Sequence, residues 1–224
     1  MRGSTDKDIL HKPFLTDTDD VKFAEFNNLD SVKKLVTDKT CAIIVECVQG
    51  EGGVTPADES FIKGIRELCD ENDILMICDE IQCGMGRTGK MFAYEHFGVK
   101  PDIVTCAKAL GGGVPVGAFV CGEKCMDTLV PGDHGTTYGV NPLVTSVVSK
   151  VFDIFEEDLI VEHAKVMGDY LEQELEKLVF EFRSVESRKG MGLMQGLVLR
   201  DPVGDIVNEA IAQGLVVISA GGNV

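Results

Sequence analysis

The segment "DIVTCAKALGGGVPVGAFVCG", residues 102–122, carries the reading from which the fold follows. A short apolar run, "DIVTC" (102–106), gives way to a lysine and three consecutive glycines, and a second apolar run, "VGAFVCG" (116–122), resumes after the turn. Short apolar runs bounded by turn residues read as strands of a covered sheet. Lys108 stands at the hinge between strand and turn, among apolar and small neighbours. Burying an ammonium group is costly unless it is paired, neutralised or bonded to something. The plainer alternative is a side chain that lays its stem on apolar surface and sends its charge to water.

Toward the N-terminus, "CAIIVECV" (41–48) reads as a buried strand that feeds the loop "QGEGG". "DESFIKGIRELCDEND" then places Phe61, Ile65 and Leu68 on one helical face with charges opposite, and "ILMICDE" (74–80) resumes a buried strand. A glycine-rich loop and a short helix near "FAYEHFG" lead to the strand at 102–106. This alternation predicts an α/β fold with a mainly parallel sheet. Beyond it, "NPLVTSVVSKVFDIFEED" and "VEHAKVMGDYLEQELEKLVFEF" predict two helices. "VESRKGMGLMQGLVL" and "DIVNEAIAQGLVVISA" predict short strands around one more helix. The change of pattern suggests a boundary near residue 150, between a larger domain (1–150) and a smaller α+β one (151–224).

The chain has 224 residues, 44% hydrophobic and 26% charged, which suits a soluble protein of one large or two small domains. Its formal net charge of -16 has the wrong sign for phosphate backbones or anionic membranes, so neither nucleic acid nor membrane is expected as a partner. The polar start "MRGSTDKDIL" lacks the apolar core of a signal peptide, and no stretch is suited to span a bilayer, so the expected location is the cytoplasm. The eight cysteines and four histidines lack metal-ligand spacing. The cysteines read as reduced, mostly buried thiols, and no metal is expected.

In parallel sheets ligands bind beyond the carboxyl ends of the strands. Asp79 and Lys108 both fall at or just after such ends, so the two are expected to face one crevice. A carboxylate ending a strand often only caps the following loop. A lysine and a carboxylate at adjacent strand ends, however, are what pyridoxal phosphate requires. The cofactor forms a Schiff base with the amine, and a carboxylate keeps its pyridine nitrogen protonated. "GMGRTG" (84–89) matches the dinucleotide-binding pattern G-x-G-x-x-G, which makes an oxidoreductase the rival reading. That fingerprint should leave the strand directly and open a helix, whereas "EIQC" intervenes here. "GGG" (111–113) lacks a following P-loop Lys-Ser/Thr and reads as a turn that gives the lysine room.

The segments "VECVQGEGGVTP", "ICDEIQCGMGRTGKMFAYEHFGVKPDIVTCAKALGGGVPVGAF" and "HGTTYGVNPL" resemble the signatures of class III pyridoxal-phosphate aminotransferases, specifically the acetylornithine type within the ornithine aminotransferase group. The likeness runs from about His11 to the final "SAGGNV" and implies the type I fold of these enzymes. It further implies that Lys108 is the covalent anchor, that Asp79 pairs with the ring nitrogen and that Gln82 bonds the phenolic oxygen. Glu80 and Ile81 would complete the binding turn. Thr137 would reach the phosphate of a neighbouring subunit's cofactor, and Thr136 would lie near substrate, which implies a homodimer. Glu51, with Glu46 in support, would help decide which carboxylate enters the site. The implied reaction moves the terminal amine of N-acetylornithine to 2-oxoglutarate, giving N-acetylglutamate 5-semialdehyde and glutamate, a step of arginine biosynthesis. Ornithine, 4-aminobutyrate and succinylated diamino acids are the alternative donors.

Family members are longer, and the phosphate-holding loop, the ring-stacking aromatic and the carboxylate-binding arginine find no counterpart in this sequence. The expectation is an internal fragment, and a non-catalytic piece that needs a complementary chain is a further reading. Two local departures stand out: Cys47 occupies a usual proline position, and Val140 a usual glycine position beside the phosphate-contacting turn. A β-branched residue would be strained there if the turn needs a positive φ.

Overall fold

The structure, a computed structural model, describes residues 21–224. The start of the resemblance at His11 and the polar N-terminal lead lie outside the described residues. The described chain falls into two units, residues 21–40 and 41–224. In the first, helix α1 (Leu29–Leu35) begins where the Asn28 side chain accepts the Ser31 amide at 3.0 Å, the usual satisfaction of an otherwise unpaired first-turn donor.

The second unit is built on a four-stranded sheet. Its strands are β1 (Ala42–Val45), β4 (Leu75–Asp79), β5 (Ile103–Cys106) and β6 (Ala118–Cys121), in that spatial order. β1, β4 and β5 run parallel and β6 is antiparallel to β5, so the expected mainly parallel α/β sheet is present. Two-residue strands β2 (Val48–Gln49) and β3 (Thr55–Pro56) form a small antiparallel pair in the loop after β1.

Helix α2 (Glu59–Glu71) makes the crossover from β1 to β4 and buries Phe61, Ile62, Ile65 and Leu68, the face its spacing predicts. Burial of such side chains contributes roughly 1.5–3 kcal/mol each. Arg66 on its flank bonds Asp102 Oδ2 at 2.9 Å, and the same oxygen accepts the Met76 amide at 2.8 Å, so one carboxylate ties α2 to the starts of β4 and β5.

α3 (Pro142–Glu157) starts at an Asn141 cap, and α4 (Ile160–Glu181) follows it closely. α4 packs on the hairpin of β7 (Val185–Met191) and β8 (Met194–Leu199). Arg188 of β7 clamps this layer by bonding Glu172 and Glu176 of α4. α5 (Gly204–Ala212) follows. Residue 150, the expected boundary, lies within the continuous helix α3. The strand expected in "GLVVISA" does not form. A strand needs a neighbour for its amides and carbonyls, and Leu215, Val216 and Ile218 instead stand exposed and join no sheet among the described residues. Among the described residues no helix is long and apolar enough to cross a membrane.

Candidate active site

Three parallel strands end on one edge of the sheet, and the loops after them, 46–53, 80–92 and 107–117, gather there. Asp79 is the last residue of β4 and pairs in register with Thr105 of β5. Lys108 follows three positions later, where a 3-10 turn (Lys108–Gly111) begins. The sheet thus brings the expected carboxylate and amine to adjacent strand ends.

The lysine is not buried. It is exposed, with φ at +50°. The backbone leaves the sheet at Ala107 in an extended conformation and turns sharply at Lys108, so the side chain emerges beyond the strand edge. Leu110, rather than Lys108, anchors the turn, inserted into a core of Met85, Val104 and Cys106 and backed by Val151 and Phe155 of α3. Among the described residues the Lys108 amine has no hydrogen-bond or ion-pair partner.

Asp79 Oδ1 accepts the Ile81 amide at 3.0 Å, which turns the carboxylate along the loop and leaves Oδ2 without a protein donor among the described residues. Gln82 lies against Gly50 so closely that a Cβ on Gly50 would overlap the Gln82 carboxamide oxygen. The loop after β1 thereby meets the loop after β4, and only glycine permits the approach. Glu46 Oε2 accepts the Gly50 amide at 3.2 Å, and Glu51 follows, exposed at the tip of that loop.

Among the described residues, Glu80 is the one charged side chain sealed beneath this edge, 1% exposed. Its oxygens accept the Ala93 amide (2.9 Å), the Tyr94 amide (2.8 Å) and the Cys83 thiol (3.3 Å). Its backbone N–H donates to the Thr105 carbonyl at 3.0 Å. One residue thus joins the end of β4 to β5 and to the 3-10 turn Ala93–Phe97. Burial, above all, pushes the Glu80 carboxyl above its ordinary range, against the opposing pull of the two amides and the thiol. Cys47 and Cys78 lie in the same interior, fully buried; the hydrogen bond with Cys78, followed by burial, pushes the Cys47 thiol far up. All eight cysteines are free, five of them buried.

The glycine-rich loop 84–89 does not open a helix; it runs through turns into the 3-10 segment Ala93–Phe97. Its role is packing: a Cβ on Gly192, in the β7–β8 turn, would come within 2.5 Å of the Thr88 backbone. Thr136 and Thr137 lie in the fully exposed stretch 131–140, and neither is hydrogen-bonded to the strand-end groups. Val140, next to them, has φ +55°. The positive φ considered for this position is therefore present, on a residue type that adopts it at a cost.

Two features escape a reading by sequence: the part of Glu80 as a buried tie, and the position of Thr105. The Thr105 hydroxyl is buried with no hydrogen-bond partner. Its signal would have been its parity with Asp79 on the neighbouring strand, which requires the strand register.

These groups fit one end of pyridoxal phosphate. Asp79 Oδ2, the Gln82 carboxamide, the Lys108 amine and the orphaned Thr105 hydroxyl offer unmet polar capacity along a single sheet edge. A ring with a basic nitrogen, a phenolic oxygen and an aldehyde matches that set.

The family model for class III aminotransferases matches residues 6–224. The acetylornithine aminotransferase of Methanocaldococcus jannaschii is 46% identical over 198 residues, covering 88% of this chain and 49% of the relative. A succinylornithine transaminase of Salmonella paratyphi A is 46% identical over 209 residues, covering 92% of this chain and 51% of the relative. The chain therefore spans about half the length of the curated relatives it matches. Among solved structures, an N-acetylornithine aminotransferase from Stenotrophomonas maltophilia superposes with a TM-score of 0.80 at 36% identity, over 90% of this chain and 54% of that one.

Proposed function

The chain belongs to the class III aminotransferases, and from that premise we propose that Lys108 and Asp79 are the cofactor-holding pair of a pyridoxal-phosphate-dependent transaminase. The observation that carries the proposal is the register of β4 and β5, which sets Asp79 opposite Thr105 and Lys108 just beyond it. The donor is the terminal amine of an acylated diamino acid, N-acetylornithine first, and the acceptor is 2-oxoglutarate. Relatives of equal identity named for acetylornithine and for succinylornithine support an acylated donor. Ornithine and 4-aminobutyrate are the alternatives.

Pyridoxal phosphate, when bound, supplies the carbonyl carbon that takes the donor nitrogen and the ring that draws electrons from the carbon losing its proton. The remaining chemistry belongs to the chain. Asp79, fixed at Oδ1 by the Ile81 amide, holds a proton on the ring nitrogen through Oδ2. Lys108 Nζ, on a short turn with room around it, takes the proton from the substrate carbon as a base and returns it as an acid. Gln82 orients the ring through its phenolic oxygen, with Glu80 and Ile81 shaping the loop beneath. Glu51 and Thr136 face the substrate, and Thr137 holds the phosphate across the interface of a homodimer. Residues 1–150 belong to the large domain and 151–224 to the small one. Eight free cysteines fit the reducing cytoplasm, where we place the protein.

The test is to incubate the purified chain with pyridoxal phosphate, reduce with borohydride and map the modified peptide. Modification at Lys108, lost in Lys108→Ala, is expected. No uptake, or label spread over surface lysines, would refute the assignment. Turnover of the loaded protein with N-acetylornithine, ornithine and 4-aminobutyrate then ranks the donors.

A further inference from the structure

The Thr105 hydroxyl is out of keeping with its surroundings. Buried hydroxyls are nearly always hydrogen-bonded, and one that is not calls for an explanation in terms of an absent partner or a function. Here Oγ1 is buried and makes no hydrogen bond, although the residue's backbone carbonyl is engaged by the Glu80 amide at 3.0 Å. The side chain cannot simply turn to find a partner elsewhere, because a β-branched residue in a strand has a restricted χ1.

Its location identifies the partner. Thr105 and Asp79 are directly paired on neighbouring parallel strands, and paired residues point to the same face of a sheet. Asp79 is held at Oδ1 by the Ile81 amide, and Oδ2 accepts no hydrogen bond among the described residues. Lys108 sits three residues on from Thr105, at the start of the 3-10 turn that follows its strand. The hydroxyl therefore lies beside the carboxylate expected to hold the ring nitrogen, on the strand that delivers the lysine.

We infer that Thr105 is a positioning residue of the cofactor site: its hydroxyl donates to the Asp79 carboxylate in the loaded protein and fixes the oxygen that faces the ring nitrogen. The inference rests on the cofactor assignment made above. The hydroxyl makes no hydrogen bond in the structure, and the bond would form as the ring draws the carboxylate into line. Empty and loaded proteins should consequently respond in opposite directions to loss of the hydroxyl.

Thr105→Val keeps the size and branching of the side chain and removes only the hydroxyl; Thr105→Ser restores it. The measurements are the thermal midpoint of each cofactor-free protein and the dissociation constant for pyridoxal phosphate from an absorbance titration. For Thr105→Val the expected results are a midpoint unchanged or raised by about 2 °C, since an unmade buried hydrogen bond has been removed, and a dissociation constant weakened about 10-fold, as for a lost hydrogen bond to a charged group. Thr105→Ser should return the dissociation constant to within about 3-fold of wild type. Wild-type-like affinity in Thr105→Val would overturn the inference and leave the cofactor assignment standing. A joint fall in midpoint and affinity that serine does not rescue would make Thr105 merely structural and also overturn it. A wild-type chain that takes up no cofactor would overturn both.

Discussion

Replacing Glu80 isolates the tie beneath the candidate site. Its carboxylate is the acceptor for the Ala93 and Tyr94 amides and the Cys83 thiol, at 2.9, 2.8 and 3.3 Å. Glu80→Gln preserves the volume but turns one acceptor into a donor, so one of the two amides meets another N–H. A buried donor without a partner costs about 1–3 kcal/mol, which is the expected loss for the glutamine variant. Glu80→Ala orphans both amides and leaves a void, and is expected to cost about 3–5 kcal/mol. The pH dependence has a definite sign. Burial holds the folded-state carboxyl above the ordinary value of 4.5, so the folded chain keeps its proton longer than the unfolded one. The corresponding stability is complete below that ordinary value and is lost as pH rises through the folded pKa. Glutamine does not titrate, so the advantage of wild type over Glu80→Gln should be greatest in acid and shrink toward neutrality. Urea unfolding followed by circular dichroism across that range measures it. A cost below about 0.5 kcal/mol at every pH would refute the tie. A cost that grows with pH would refute the dominance of burial over the amide hydrogen bonds.

Three further outcomes are expected. Val140, 86% exposed at φ +55°, has little packing to lose, so Val140→Gly should raise stability by about 1 kcal/mol; a loss in thermal unfolding would count against strain at that turn. Asp102 would be raised by burial alone, but the Met76 amide and Arg66 overcome this and hold it below its ordinary value of 3.8. Asp102→Asn should therefore cost about 1–3 kcal/mol at neutral pH, an effect that fades in wild-type comparison as pH falls through the folded pKa. With a thiol reagent, Cys41, Cys121 and Cys125 should react in the native chain, while Cys47, Cys69, Cys78, Cys83 and Cys106, all buried, should react only after denaturant; fast reaction at Cys47 would contradict its raised pKa and burial.

What could be read from the sequence, and what could not, divides by the range of the interaction. α2 was legible because Phe61, Ile65 and Leu68 recur at helical spacing, and that period is local. β1, β4 and β5 were legible as short apolar runs, and their alternation with helical segments pointed to a mainly parallel sheet. The placement of Asp79 and Lys108 at adjacent strand ends was legible from the apolar runs that precede them, and strand ends are where such sheets bind ligands. The expected strand in "GLVVISA" failed for the complementary reason: apolar, β-branched residues express a preference, but a ladder needs a second strand, and among the described residues none pairs with Val216 or Ile218. The exposure of Lys108 was left open by the sequence, because its neighbours are apolar on both sides, whereas burial is decided by where the chain leaves the sheet. Leu110, two residues on, is the side chain of this turn that enters the core.

Glu80 and Thr105 mark the limit most clearly. In sequence, Glu80 is one more polar residue after a strand, and its two amide donors lie 13 and 14 positions away in a 3-10 turn. Thr105 is one ordinary strand threonine until the register sets it opposite Asp79, 26 positions earlier. Both depend on the same fact, the alignment of β4 with β5, and a shift of one residue would send Asp79 and Thr105 to opposite faces. That alignment is held at one end by Asp102, which takes the Met76 amide, and at the other by the Glu80 amide on the Thr105 carbonyl. The residues that carry the proposed chemistry are therefore placed by neighbours that carry none. Disturbing either end of this short pairing should be felt at Lys108 even though no side chain there is touched.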